Sequence, residues 1–224
     1  MRIGLVRTSG VVIFHRLLHW QQDAVRRRHF VRRTVQSAFR AGAVIAGYVD
    51  DQRVVKLALA TDLLGKDGRA TPLAKFAQAV AVNLNGVFNV MSKCVEQMAR
   101  SEPEGGEERG VVINISSGAA YEGQVGQCSY SASKAALIGL NMPASRELGA
   151  IGVRVNAIAP GLFLTPMAAG LNDNVLASLM QQVEAPRRLG DMREFAHCCA
   201  FIIENGYLNA ETIRLDAASR LRGR

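Results

Sequence analysis

The sequence has no uncharged apolar run of the roughly eighteen residues that a membrane-spanning helix requires, and residues 1–30 lack the charged, apolar, small-residue order of a secretory signal. A soluble, cytoplasmic protein with no membrane partner is therefore expected. Cysteine is scarce. Cys94, Cys128, Cys198 and Cys199 show no C-x-x-C spacing, and two of them are adjacent. That pattern argues against a disulfide framework or a zinc site and for reduced thiols in a reducing compartment, with no metal expected. Asn114-Ile115-Ser116 matches a glycosylation sequon, but it lies in an apolar run of a chain without a secretion signal, so it is set aside.

Residues 1–55 contain no Lys and no Glu, yet they hold ten Arg against three Asp, a net of +7 out of the chain's +8. The rest is nearly neutral. An Arg-rich, acid-poor start has several readings: an arm for nucleic acid or a membrane, a transit peptide, or GC-rich DNA translated from a wrong start or frame. Arg26-Arg27-Arg28 and Arg32-Arg33 could contact phosphates, which leaves a non-catalytic oligomeric protein with a nucleic-acid-binding arm as the alternative function. No stacking aromatics interleave with these arginines in a recognised module, so nucleic acid is the less favoured partner. The division expected is an atypical segment over 1–56 and a catalytic part over 57–224.

What is present is apolar content, 49% of 224 residues, enough for the core of one large α/β domain or a small pair. Gly10 to Phe14 reads as a strand, 16–40 as a basic helix and Ala43 to Val49 as a second strand. A long helical pattern runs from about 72 to 100, and an acidic, glycine-bearing turn follows from Ser101 to Glu108. Val111-Val112-Ile113-Asn114-Ile115 is β-branched with almost no alternation, as expected of a parallel strand covered on both faces. A helix over 128–149, a strand from Val153 to Ala159 stopped by Pro160-Gly161, a helix near 191–204 and a last strand from Glu211 to Leu215 complete the pattern. Strand, helix and strand at this spacing form a crossover unit, so the fold class expected is α/β, a Rossmann-like parallel sheet with helices on both faces and an incomplete amino-terminal half.

Active sites of open α/β sheets lie beyond the carboxyl ends of the strands. Ser116-Ser117-Gly118 follows one strand, Pro160-Gly161 follows the next, and Tyr130-Ser131-Ala132-Ser133-Lys134 opens the helix between them. Tyr130 and Lys134 are four apart and share a helix face. A protonated Lys beside a phenol favours the phenolate and lowers its pKa, which makes Tyr130 a candidate general acid/base. Four Tyr and five Lys would produce one Y-x-x-x-K by chance about one time in ten, so the spacing alone is weak. Ser117, thirteen residues earlier at a strand end, could hold the substrate oxygen, although such a serine more often satisfies nearby backbone.

Asn83-Leu84-Asn85-Gly86-Val87-Phe88, Ile113 to Ser117, Tyr130 to Lys134 and Pro160-Gly161-Leu162-Phe163 resemble successive motifs of the short-chain dehydrogenases, in the family's order. Gly123 to Gln127, Ile158 to Phe163 and Leu208 to Asp216 are similar more narrowly to type-2 3-hydroxyacyl-CoA dehydrogenases. The resemblance, from Leu57 onward, implies an oxidoreductase moving a hydride between NAD and a 3-hydroxyacyl-CoA or related secondary alcohol. It implies four catalytic residues: Ser117 on the substrate oxygen, Tyr130 as acid/base, Lys134 on the nicotinamide ribose, and Asn83 ordering a water relay to Lys134. Pro160, Gly161, Phe163 and Thr165 would line the nicotinamide, Gln124 would face the substrate, and a homotetramer would pair through the long helices and last strand.

The same resemblance implies a glycine-rich turn and helix in the amino-terminal half to receive the pyrophosphate, followed by an acidic residue for the adenine ribose. No such glycine cluster occurs in residues 1–56, and Arg53-Val54-Val55-Lys56 stands where N-x-A-G is expected. The segment reads as the product of a truncated or frame-disrupted gene. An unpaired sheet edge is expected unless 11–14 and 43–49 cover it. The chain is also expected to bind NAD poorly and to turn over slowly or not at all.

Overall fold

The structure, a computed structural model, describes residues 62–103, 107–164, 177–178, 180–221 and 223, and the backbone of 11–15. The expected helix at 16–40, the expected strand at 43–49 and Thr165 lie outside the described residues.

Four strands form one sheet in the order β1 (Val11–His15), β2 (Gly110–Ile115), β3 (Val153–Pro160) and β4 (Thr212–Leu215). β2, β3 and β4 are parallel neighbours. β1 pairs with β2 in the opposite direction, from Val11 opposite Asn114 to His15 opposite Gly110. The edge of β2 that the sequence left open is thus covered by 11–15.

Helices pack on both faces. On one side lie α1 (Leu73–Val80), a π-helical turn (Ala81–Asn85), α2 (Gly86–Ala99) and α3 (Cys128–Gly149). On the other lies α4 (Met192–Glu204), whose start is fixed by a capping box between Asp191 and Glu194. The uninterrupted β-branched run of β2 follows from this sandwiching. Val111, Ile113 and Ile115 pack with Phe195, Cys199 and Ile202 of α4. Val112, on the other face, joins Val87, Met98 and Leu137 of α2 and α3. A strand buried on both faces cannot alternate apolar with polar residues.

Buried polar groups tie the layers where apolar ones cannot. Arg154, almost fully buried in β3, donates to the carbonyls of Ile202, Ile203 and Leu208 and pairs with Glu108 at 2.8 Å. Asn156 donates to the Leu208 carbonyl and accepts from the Glu211 N–H. These contacts fix the turn that feeds β4, so β4 meets the carboxyl end of β3 in register.

Candidate active site

β2 and β3 end at the same edge, and their carboxyl ends place the candidate residues. Ser117 caps a short 3-10 turn (Gly118–Ala120), its hydroxyl accepting from the Ala119 N–H at 3.1 Å. The same hydroxyl hydrogen-bonds to the Tyr130 phenol, across the gap between the end of β2 and the first turn of α3. Lys134, one turn on, has its ammonium 5.8 Å from the centre of the Tyr130 ring and donating to the Ile115 carbonyl at 3.0 Å. The structure therefore brings Ser117, Tyr130 and Lys134 together.

Asn83 joins them from another element. It sits in the π-helical turn between α1 and α2, 4% exposed, and its Nδ2 donates to Ser133 Oγ at 3.2 Å. A π turn widens a helix by one residue and is common at functional sites. It swings Asn83 inward, toward the first turns of α3.

The electrostatics depart from the sequence expectation in one respect. Burial pushes the Tyr130 phenol above its usual value, and the Ser117 hydrogen bond opposes that without reversing it. Burial also brings the Lys134 amine down to about 8. The expected lowering of Tyr130 by Lys134 is not found, because both groups lose hydration and the Lys134 amine is directed at the Ile115 carbonyl. At neutral pH the phenol is protonated and Lys134 carries most of its charge.

Pro160 and Gly161 lie at the end of β3. Gly161 has no room for a side chain, since a Cβ there would stand 2.6 Å from the Asp216 Cβ, and its N–H donates to the Leu215 carbonyl. Phe163 turns its ring into the core, edge-on to Phe195 with centroids 5.9 Å apart, so packing already occupies that ring. Gln124 lies on the 121–127 loop between Ser117 and Tyr130, with its N–H donating to the Gln127 side chain at 3.0 Å.

The loop's anchorage was not legible beforehand. Glu122 accepts from Arg214 of β4 at 2.9 Å and from the Leu221 N–H at 3.2 Å, and these contacts hold its carboxyl below the usual range. Arg214 also pairs with Asp216 and lies 4.9 Å over the Tyr121 ring. Ser116 and Ser133, which sequence reasoning passed over, both touch the candidate residues. A cavity of about 1250 Å³ opens along the first turn of α4, lined by Leu164, Met180, Leu189, His197 and Leu215 among others. None of Ser117, Tyr130 and Lys134 lines it. Among the described residues no group of three or more His, Cys, Asp or Glu side chains is placed to hold a metal ion, and no helix is long and apolar enough to cross a membrane.

The described residues fit one end of a dinucleotide. A phenol and an ammonium on one helix face, at the sheet edge where β3 ends in Pro160, suit a nicotinamide and its ribose. The pyrophosphate end is different. It needs a strand that runs toward this edge and turns there into a helix N-terminus. β1 runs the other way, so the chain leaves it at His15, opposite Gly110 and away from the site.

The sequence pattern of the short chain dehydrogenases matches residues 65–176, half of the chain. The chain belongs to the short chain dehydrogenase family. It is 48% identical over 157 residues to the Homo sapiens 3-hydroxyacyl-CoA dehydrogenase type-2, covering 70% of this chain and 60% of the relative. Among solved structures it is similar to the Mycobacterium avium 3-hydroxyacyl-CoA dehydrogenase type-2 (TM-score 0.72, 38% identity, 74% of this chain and 64% of that one). It is also similar to a Brucella melitensis 3-oxoacyl-(acyl-carrier protein) reductase with bound NAD (TM-score 0.57, 27% identity, 68% and 54%). The chain thus spans about 60% of the length of these curated dehydrogenases.

Proposed function

We propose that residues 57–224 are the catalytic portion of an NAD-dependent short chain dehydrogenase acting on a 3-hydroxyacyl-CoA, and that the chain with its present residues 1–56 holds that cofactor weakly. The observation that carries the first half is the convergence of Ser117, Tyr130 and Lys134 at one sheet edge. The observation that carries the second is the direction of β1. The substrate class follows from the names of the relatives, and the choice of NAD is in line with the NAD-bound reductase.

In this mechanism the Ser117 hydroxyl donates to the substrate oxygen. Tyr130 gives its proton to that oxygen as a ketone is reduced, or takes the proton from an alcohol as it is oxidised. A bound nicotinamide supplies the hydride acceptor in one direction and the donor in the other. Lys134 would hold the nicotinamide ribose, most fully below about pH 8, where its amine is ionised. Asn83 holds the first turn of α3 through Ser133. Pro160, Gly161 and the backbone of Phe163 would line the nicotinamide, Gln124 would face the substrate, and Thr165 is assigned to the nicotinamide side by the family resemblance alone.

The proposed assembly is a homotetramer. Leu73, Phe88 and Met142 are 78%, 53% and 48% exposed on the α1 to α3 layer, an apolar surface suited to a second copy. Light scattering that finds a soluble monomer contradicts this reading.

The experiment for the activity is acetoacetyl-CoA reduction by NADH, followed with the chain, with its Tyr130→Phe variant and with a form carrying the glycine-rich half. Tyr130-dependent turnover by the restored form and little by the chain alone is the expected result. Preference for free steroids or sugars over acyl-CoA thioesters overturns the substrate class.

A further inference from the structure

Two hydroxyls outside the proposed catalytic set grip it from opposite sides. Ser116 Oγ donates to the Lys134 carbonyl at 2.8 Å, while Lys134 Nζ donates to the carbonyl of Ile115, the residue before Ser116, at 3.0 Å. The end of β2 and the second turn of α3 therefore hold each other reciprocally. Ser133 Oγ donates to the Tyr130 carbonyl at 2.8 Å and accepts from Asn83 Nδ2 at 3.2 Å, linking the π-helical turn to the turn of α3 that carries Tyr130. Ser116 is 2% and Ser133 1% exposed, so water cannot replace either bond cheaply.

We propose that Ser116 and Ser133 are positioning residues that set the reach between the Ser117 hydroxyl and the Tyr130 phenol. Ser117 follows Ser116 directly, so a shift of the strand end against Lys134 moves Ser117 as well. Ser133 acts from the helix side by fixing the carbonyl of Tyr130 itself. Without these latches the Ser117 hydroxyl retains its local partner, the Ala119 N–H, and loses its long-range one. Both hydroxyls are committed to protein partners, the Lys134 and Tyr130 carbonyls and Asn83, so their role is to position. This inference rests on Tyr130 being the acid/base of the proposed function.

The test is an alkaline titration of the full chain labelled with 13C at the tyrosine ζ carbon, with the Tyr130 signal assigned by Tyr130→Phe. Ser117→Ala should raise the Tyr130 midpoint by about one pH unit, the size of one hydrogen bond. Ser116→Ala and Ser133→Ala should each raise it by a large part of that shift, and combined with Ser117→Ala they should add nothing further. Ser133→Thr, which keeps the hydroxyl, should restore the midpoint. Ser145→Ala removes a buried hydroxyl from the same helix, bonded to the Val155 carbonyl at 3.1 Å, and should leave Tyr130 unmoved. Ser116→Cys and Ser133→Cys stand in if the alanine variants do not fold, with a smaller shift in the same direction. If alkali unfolds the chain first, the ζ-carbon shift at pH 8 reads the same bond. Ser116 and Ser133 variants that lose stability as Ser145→Ala does, with Tyr130 unmoved, overturn the proposal. No turnover enters the measurement, so an inactive chain still answers it.

Discussion

On one side of β2 the chain adds β3 and then β4 in parallel, while on the other it adds β1 in the opposite direction. Both additions satisfy the edge of a buried apolar strand, because the backbone donors and acceptors of β2 can pair with either orientation. Only one of them serves the proposed chemistry. A parallel neighbour ends where β2 ends, so β3 delivers Pro160-Gly161 beside Ser117. An antiparallel neighbour ends at the far edge, so β1 covers the sheet and ends with His15 opposite Gly110. Covering an edge is a requirement on pattern, and building a dinucleotide site is a requirement on direction.

The largest effect that would sharpen this contrast comes from β1 itself. Val12→Pro removes the backbone donor that faces Ile113 and reopens the edge, which should cost about 3 kcal/mol and promote aggregation. Thermal unfolding with light scattering would show it. An unchanged melting temperature would mean that β1 contributes nothing to the sheet.

The next effect lies on the parallel side. Lys134 has a folded pKa near 8 against about 10.4 unfolded, so the unfolded chain binds more protons between those values and stability rises with pH across that window. Below pH 8 the burial penalty is fully present. Lys134→Met should therefore be more stable than the parent by roughly 2 kcal/mol at pH 7, after allowing for the lost bond to the Ile115 carbonyl. The advantage should fade by about pH 10.5, and denaturant melts across pH would follow it. A Lys134→Met variant less stable than the parent at pH 7 would show that the amine is better solvated than its burial implies.

A smaller effect concerns the segment after β4. Ala217 and Ala218 have φ of 49° and 57°, the left-handed region that a Cβ disfavours, and the Ala217 carbonyl accepts from the N–H of Glu184 and, at 3.4 Å, of Ala185. Ala218→Gly should relieve strain of about 1 kcal/mol and raise the melting temperature by a few degrees. A lowered melting temperature would mean that the gain in unfolded-chain entropy outweighs the strain.

The parts of this architecture that were legible in the sequence are those whose surroundings dictate composition. The β-branched run of β2, sandwiched between α4 and α2–α3, admitted few alternatives, and the helix expected over 128–149 falls on Cys128–Gly149. The run Gly10 to Phe14 announced a strand but not its direction, since an apolar pattern of five residues reads the same both ways. Asn83 was reached through the family resemblance and not through its spacing, because a π turn leaves no signature in side-chain spacing. Ser116 and Ser133 were invisible as well. A serine's value there depends on which carbonyl it reaches across fifteen or more residues of chain or within a single turn. The 121–127 loop gave no hint that Arg214, over ninety residues later by sequence, would hold it through Glu122.

The most direct measurement compares NADH with reduced nicotinamide mononucleotide, titrated against the full chain by fluorescence. If the chain holds only the nicotinamide and ribose, the adenylate half adds little, and the two dissociation constants should agree within about threefold, which is under 1 kcal/mol. NADH binding about a hundredfold or more tighter than the mononucleotide, a difference of roughly 2.7 kcal/mol, would contradict this account. It would mean that residues 1–56 build a pyrophosphate site despite the direction of β1.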